Sequence, residues 1–257
     1  MSNGASIVIG IIPAAGCGAR IQPLGCSKEL LPVGSRHVNG AERPKAIAEY
    51  LVERMIGAGV EQICMVISPE KHDVIRFFSE RSYPAEIFYA VQNKPSGLCD
   101  AVFRAEPLAR QHDEVLIGLP DTIWFPANAY ERALDFSRSS VNLVLFPVDD
   151  PTQFDSVQCD DCEVVRRVDV KSPAATSPWI WGAIATTGAA LIGLKELWER
   201  RDRRDVYLGD LFNAFIGEGN PIRGIACGET YIDVGTVEGY HRAQNFLRNQ
   251  KETALAA

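Results

Sequence analysis

An apolar run of strand length, Ile7 to Pro13, leads directly into Ala14-Ala15-Gly16-Cys17-Gly18-Ala19-Arg20. Glycines in such a turn let backbone N–H groups approach phosphate oxygens, and the carboxyl end of a buried strand is where ligands of open α/β sheets sit. Arg20 adds a fork of donors for an anion. A second apolar run, Val115 to Leu119, ends in Pro120-Asp121, so the Asp121 carboxylate is expected at the same edge, beside the turn. Mg²⁺ is commonly bound through one or two carboxylates plus substrate phosphates, which makes Asp121 a candidate ligand; capping a helix is the other use of an Asp after a strand. Asp233, in Tyr231-Ile232-Asp233-Val234-Gly235-Thr236, could by itself simply cap the helix that follows, as could Thr236. Two better-known glycine patterns fail. A dinucleotide fingerprint needs a third Gly where Ile21 stands, and a P-loop needs Gly-Lys-Ser/Thr after a four-residue gap.

A sheet must carry these residues, and the first 150 residues read as one. Apolar runs of strand length alternate with segments of helical period, the pattern of a mostly parallel sheet with helices on both faces. Strands are predicted at Ile7–Ala14, Gln62–Ile67, Glu86–Val91, Glu114–Leu119 and Val141–Val148. Ile47, Leu51 and Met55 recur every fourth residue, with Gly59 at a helix end. Further helices are predicted at Glu70–Arg81, Leu98–Ala109 and Asn128–Arg138. In the second half, Glu163–Val170 and Trp181–Thr186 read as strands, and Ala189–Arg200 and Leu208–Gly217 as helices. Ile222–Cys227 with Thr230–Val234 reads as a closing strand pair, and a last helix runs from Val237 to Asn249. No repeat or low-complexity linker interrupts the chain, so residues 1–257 are expected to form a single α/β domain, Rossmann-like, with a small inserted β region. Residues 1–150 would be its nucleotide-binding half and 151–257 the other half.

Composition narrows the function. A net charge of −7 argues against nonspecific nucleic-acid binding, which needs clustered Lys and Arg. Ile7 to Ala15 is too short to span a bilayer and lacks a preceding basic segment, so neither anchor nor signal peptide is expected and the chain is read as cytoplasmic. Seven scattered cysteines form no disulfide framework and suit a reducing compartment. Cys159-x-x-Cys162 has no second ligand pair at zinc spacing, and the two Asp residues between them disfavour a thiolate; it reads as a turn between strands.

The stretch Pro23-Leu24-Gly25-Cys26-Ser27-Lys28-Glu29-Leu30-Leu31-Pro32-Val33 makes a resemblance specific. A-A-G-x-G-x-R, a proline three residues on, and K-x-x-x-P-V together resemble the signature of the sugar-phosphate nucleotidyltransferases, and the S-K-E-L-L-P-V version most resembles the glucose-1-phosphate thymidylyltransferases. The resemblance implies the nucleotidyltransferase, GT-A-like fold, a glycine loop around a triphosphate (Ala14, Ala15, Gly16, Gly18), and Arg20 and Lys28 as catalytic contacts to phosphates at the reacting phosphorus. It extends over Tyr89-Ala90-Val91-Gln92 and Pro95-Ser96-Gly97-Leu98, where Gln92 and Gly97 match the residues that read uracil or thymine. A glutamine amide offers both a donor and an acceptor to an imide edge, which agrees. Asp121 matches the Asp of L-G-D and Asp233 that of D-x-G-T, the two ligands of Mg²⁺. Lys171, in Asp169-Val170-Lys171-Ser172-Pro173, matches the Lys of E-K-P that holds the sugar's phosphate, and Gly182 a glycine beside the sugar.

The matches run from Ile7 to about Leu247 but weaken around the sugar. The family's Tyr-Gly-Val-Val after Asp150-Pro151 is replaced by Gln153-Phe154-Asp155-Ser156-Val157, with Asp155 for the glycine, and the Glu of E-K-P is Val170. The implied reaction joins a nucleoside triphosphate, dTTP or UTP, to a sugar 1-phosphate, glucose 1-phosphate first, with release of pyrophosphate. A cytidylyltransferase for a phosphorylated alcohol or sugar, and a catalytically inactive sensor or assembly protein of the same fold, are the alternatives. One helix's worth of chain follows Asp233, where fuller-length members of the group carry more. Its Tyr240, Ala243 and Leu247 stripe is expected to pack on the sheet, and a monomer or small homo-oligomer is predicted.

Overall fold

The structure is a computed structural model and describes residues 6–134 and 141–256. β1 (Val8–Pro13) is followed by a hairpin of β2 (Pro32–Val38) and β3 (Ala41–Ala46). Then come α1 (Ile47–Gly57), β4 (Gln62–Ile67), α2 (His72–Ser79), β5 (Glu86–Val91), α3 (Leu98–Ala105), β6 (Glu114–Gly118), β7 (Thr122–Phe125), α4 (Ala129–Leu134) and β8 (Val141–Pro147). The second half holds β9 (Asp155–Cys159), β10 (Val165–Val170), β11 (Trp179–Thr187), α5 (Gly188–Arg200), α6 (Leu208–Gly217), β12 (Ile222–Ile225), β13 (Thr230–Asp233) and α7 (Val237–Ala256).

Nine strands form one sheet in the order β10-β9-β11-β6-β1-β4-β5, with β8 beside β11 and β12 beside β8. β6, β1, β4 and β5 are mutually parallel, and β11 joins antiparallel to β6, which ties the second half to the first. Strand periodicity divides the core. Ile9 and Ile11 point to the face covered by α3, α5 and α6, with Val102, Leu191 and Phe212, while Ile12 points to the face covered by α1, α2 and α4, with Leu51, Phe78 and Ala133. Each such side chain, removed from water on both flanks, contributes roughly 1.5–3 kcal/mol. That burial fixes the register of β1 and so the position of the glycine turn that follows it.

Several expectations are revised. Ile222–Cys227 and Thr230–Val234 do not pair with each other: β12 runs parallel to β8 and β13 antiparallel to β7. The link between them passes from one sheet to the other, because Gly228 N donates to Leu145 O and Glu229 N to Phe125 O before the chain can turn back. The helix predicted at Asn128–Arg138 is observed as Ala129–Leu134, and its remaining residues lie outside the described ones. The segment Leu98–Ala109 divides into α3 and a 3₁₀ turn at Glu106–Leu108, where Pro107 cannot donate an amide to an α-helical ladder. Cys159 and Cys162 flank a turn held by the Asp160 carboxylate, which accepts from the amides of Cys162 and Val164. Burial, with Asp160 and Glu163 adding, pushes the Cys159 thiol up to about 11. The final helix packs on β2 and β13, where Ala243 is buried with Val33 and Ile232, and Tyr240 and Leu247 pack against that group. Among the described residues no helix is long and apolar enough to cross a membrane.

Candidate active site

The turn after β1 stays in the ladder through Ala14, whose amide donates to Val66 O at 2.7 Å, and then leaves it. Gly18 has φ +66°, and a Cβ there would stand 2.8 Å from Lys28 Cδ, so both backbone and space demand glycine. Gly16 is open, with nothing near its missing side chain. Beneath the turn lies Lys71, the residue before α2, with its ammonium buried. It donates to Ala14 O at 2.6 Å, Gly16 O at 2.8 Å and Glu29 Oε1 at 2.7 Å. A loop whose carbonyls are held from below offers its amides, not its oxygens, to an incoming anion. Burial raises the Glu29 carboxyl despite Lys71 and Lys28.

The same first turn of α2 holds the next catalytic candidate. Asp73 accepts from Ser27 N at 2.7 Å and Ser27 Oγ at 2.6 Å, and so seats the 3₁₀ turn Lys28–Leu30. Lys28 Nζ then meets Asp121 Oδ2 in a short ion pair. Burial alone would raise the Asp121 carboxyl, but the Lys28 charge and hydrogen bond hold it below the ordinary carboxylate range. Burial likewise opposes the charged form of Lys28, and Asp121 overrides it and raises the ammonium's pKa.

Asp121 is followed by a strand and not a helix, so it caps nothing. Its carbonyl accepts from Val234 N at 2.8 Å, and the first residue of β7, Thr122, is registered against Asp233 at the end of β13. Asp233 does not cap α7 either: Oδ1 accepts from Gly235 N at 2.7 Å, while Thr236 Oγ1 takes the helix-start amide of Gly239 at 3.0 Å. Asp233 Oδ2 faces Arg20 at 3.1 Å. Three of these charges converge on Gly235, where a Cβ would stand 2.8 Å from Asp233 Oδ1, 2.9 Å from an Arg20 nitrogen and 3.3 Å from Asp121 Oδ2, and Lys28 joins them through its pair with Asp121. Any side chain at 235 would fill the space between the two carboxylates.

A cleft of about 720 Å³ shares Lys28 with this cluster and reaches Gln92, lined also by Ala15, Asp73 and Pro95. Gln92 is buried, and both its amide hydrogens are taken, one by Gly97 O at 3.1 Å and one by Asp100 Oδ2 at 2.7 Å. That fixes its carbonyl as the group left for a ligand, so the donor that an imide edge also needs must come from elsewhere. Gly97 has φ +98°, and a Cβ would stand 2.6 Å from Val206 Cγ1.

Lys171 and Gly182 lie in the other half. Lys171 follows β10 with φ +42° and holds its ammonium 4.4 Å from the centre of the exposed Tyr207 ring. Gly182 is the bulged residue of β11 against β8, and the place of its side chain is filled by Tyr231, whose Cε2 would be 2.4 Å from a Cβ. The structure thus brings Ala14, Ala15, Gly16, Gly18, Arg20, Lys28, Asp121 and Asp233 into one group. Gln92 with Gly97 forms a second, and Lys171 stands apart. Tyr231 packs against Phe154 as well as beside Gly182, and burial lifts its hydroxyl well above the ordinary value, with Asp233, Asp121 and Asp155 adding. Tyr231, Lys71, Glu29 and Asp73 are positioning residues that motif reading does not single out. For Lys71 the usable signal is its place in the short loop after β4, the strand that pairs with β1.

A family model for nucleotidyl transferases matches residues 9–250. The chain belongs to the nucleotidyl transferase family. Among its relatives, a glucose-1-phosphate thymidylyltransferase of Xanthomonas campestris pv. campestris is 23% identical over 258 residues, covering 93% of this chain and 80% of that one. The bifunctional protein GlmU of Methanococcus maripaludis is 26% identical over 229 residues, 88% of this chain, and this chain spans only 51% of its length. Solved structures share the fold. A UDP-glucose pyrophosphorylase from Acinetobacter baumannii superposes with a TM-score of 0.76 at 20% identity, covering 97% and 99% of the two chains. A UDP-glucose pyrophosphorylase complexed with UDP-glucose gives 0.78 at 18% identity, covering 95% and 99%.

Proposed function

We propose that this protein transfers a nucleoside monophosphate from dTTP or UTP to a sugar 1-phosphate, glucose 1-phosphate being the first candidate, and releases pyrophosphate. The observation that carries the reading is the convergence of Asp121, Asp233 and Arg20 on Gly235, with Lys28 paired to Asp121, beside a glycine turn whose carbonyls are held from below by Lys71. The names of the relatives point to the same reaction class.

The donor set fits Mg²⁺: two carboxylates, hard oxygens only, at a point a Cβ would fill, with the remaining ligands left to substrate phosphates. Asp121 and Asp233 would hold the ion, which when bound neutralises charge on the triphosphate and orients it. The chain's own residues do the rest. Lys28 and Arg20, each already beside a carboxylate, lie where they can turn to phosphate oxygens and stabilise charge at the α-phosphorus. A sugar-phosphate oxygen attacks that phosphorus in line, the bond to the β-phosphate breaks, and pyrophosphate leaves. The nucleophile needs no general base, since a phosphate monoester is largely dianionic at pH 7, and Lys171 orients it. Gln92 accepts the imide N–H shared by uracil and thymine. Positioning and electrostatics account for the rate in such transfers.

Pyrophosphate release by the purified protein, screened over nucleoside triphosphates against sugar 1-phosphates, tests this. The expected result is turnover with dTTP or UTP and a hexose 1-phosphate. Release with CTP and a phosphorylated alcohol, or none at all, would sink the reading.

A further inference from the structure

We propose that Asp155 selects the acceptor, its carboxylate taking hydrogen bonds from hydroxyl groups of the sugar ring. The inference rests on the reading above and names a residue for the region where the sequence motifs weaken.

Asp155 opens β9 and is registered directly against Val170, the residue before Lys171. The carboxylate and the lysine therefore leave the same end of one strand pair. A sugar 1-phosphate has a matching order of charge, an anion at one carbon and hydroxyl donors on the rest of the ring. Asp155 Oδ2 accepts from Trp181 Nε1 at 3.3 Å, and Oδ1 is buried without a hydrogen-bond partner, because the nearby amide of Lys171 is directed to Phe154 O at 3.1 Å. Among the described carboxylates Glu29 Oε2 shares this state, but Glu29 is paired with Lys71 through its other oxygen, whereas Asp155 has no ion pair to hold it, and a buried polar atom without a partner calls for one. Nearby acids differ in this respect: Asp205 is gripped by Arg201 through two bonds of 2.7 and 2.8 Å.

The surroundings pack closely against the carboxylate and exclude a further side chain. Gly209, at the start of α6, has no side chain where a Cβ would stand 2.6 Å from Val170 Cγ2 and 3.1 Å from Asp155 Oδ2. Tyr231 packs edge-on against Phe154, the residue before Asp155, with ring centres 5.9 Å apart. Burial, with Asp210 adding, holds the Asp155 carboxyl above its ordinary range in spite of Trp181 and Lys171. A purely structural residue at this place would be better as an amide. The fold carries a strained acid, which is the expected signature of a group kept for a ligand.

The test is steady-state pyrophosphate release by the full chain and by Asp155→Asn and Asp155→Ser, using the sugar 1-phosphate found in the screen and its monodeoxy analogues. A hydrogen bond to a charged acceptor predicts that the Asn variant raises KM for the sugar phosphate by about tenfold or more, with KM for the triphosphate changed less than about twofold. Wild-type preference for the parent sugar over the deoxy analogue lacking the contacted hydroxyl should fall towards unity in both variants. Melting temperatures should be unchanged or higher. Equal shifts in the two KM values, no shift in either, or full retention of the deoxy discrimination in a folded variant would overturn the assignment. Absence of turnover in the wild type with every sugar 1-phosphate would overturn the proposed function and this inference with it. An active wild type with unaltered variants overturns this inference alone.

Discussion

The two regions of the proposed site, one for the triphosphate and one for the sugar phosphate, are built differently. At the triphosphate end charges come in opposed pairs: Lys28 with Asp121, Arg20 with Asp233, Lys71 with Glu29. Each pair joins segments distant in sequence, and the loop carbonyls are held as well. At the other end the charged groups are less engaged: Glu29 Oε2 and Asp155 Oδ1 both lack a hydrogen-bond partner, but among the described residues Asp155, unlike Glu29, also forms no ion pair, and Lys171 rests its ammonium over Tyr207. A region whose charges compensate one another keeps its shape while empty, whereas one with unmet hydrogen-bonding capacity takes its final order from the ligand. The first end is therefore expected to tolerate change poorly in both stability and rate, and the second chiefly in the affinity for one substrate.

The largest effect should come from the acidic pair. Asp121→Asn and Asp233→Asn should each lower turnover by about a hundredfold or more in Mg²⁺ with the fold retained, because each removes a charged ligand. Near wild-type rates in both would remove the metal assignment and with it half of the contrast. Next is Lys71→Met, which strips a buried partner from Glu29. Leaving a buried charge uncompensated costs about 3–5 kcal/mol, roughly 10 °C in melting temperature for a chain of this size. KM for the triphosphate should rise while KM for the sugar phosphate holds. Adding Glu29→Gln should restore melting but not the triphosphate KM; if it restores both, the lysine acts through stability alone and does not order the glycine turn. Gln92→Ala should reduce affinity for dTTP or UTP by about tenfold, measured by calorimetry, since the base loses one acceptor. A clear preference for a purine triphosphate would show the base-reading segment misplaced. The smallest change is expected from Lys171→Ala, a severalfold rise in KM for the sugar phosphate at constant melting temperature, as befits an exposed ammonium. A large fall in melting temperature would place Lys171 in the framework and blur the distinction between the two ends.

How legible these ends were follows from how they are built. Strands β4 and β5 and helix α6 coincide with the predicted Gln62–Ile67, Glu86–Val91 and Leu208–Gly217, because buried parallel strands and amphipathic helices print themselves as apolar runs and stripes. The β2–β3 hairpin carries Ser35, Arg36, His37, Glu42, Arg43 and Lys45 on strands with little apolar alternation, and went unpredicted. Its one local signal is the turn Asn39-Gly40, both at positive φ, the sequence that two-residue hairpin loops prefer. β9 is similarly polar, and β12 and β13 were paired wrongly because adjacency in sequence says nothing of the two sheets between which the chain passes. Within the site, Gly18 and Asp121 announce themselves by chemistry. Lys71 and Asp73 do not, since a residue that holds backbone carbonyls and amides from behind leaves no pattern of its own.

The pairing of β13 with β7 places Asp233 beside Thr122, and Arg20 reaches the same carboxylate across 213 residues of chain. During synthesis, then, a ribosome-bound chain can form β1, β4, β5 and β6 and their helices while the cluster around Gly235 is still incomplete. Contacts of such long sequence separation close late and slowly, so the capacity to bind triphosphate should appear in one step, after β13 has docked. A partly made or C-terminally nicked copy would present a well-formed glycine turn and remain chemically silent, which protects the nucleotide pool from idle turnover by unfinished molecules.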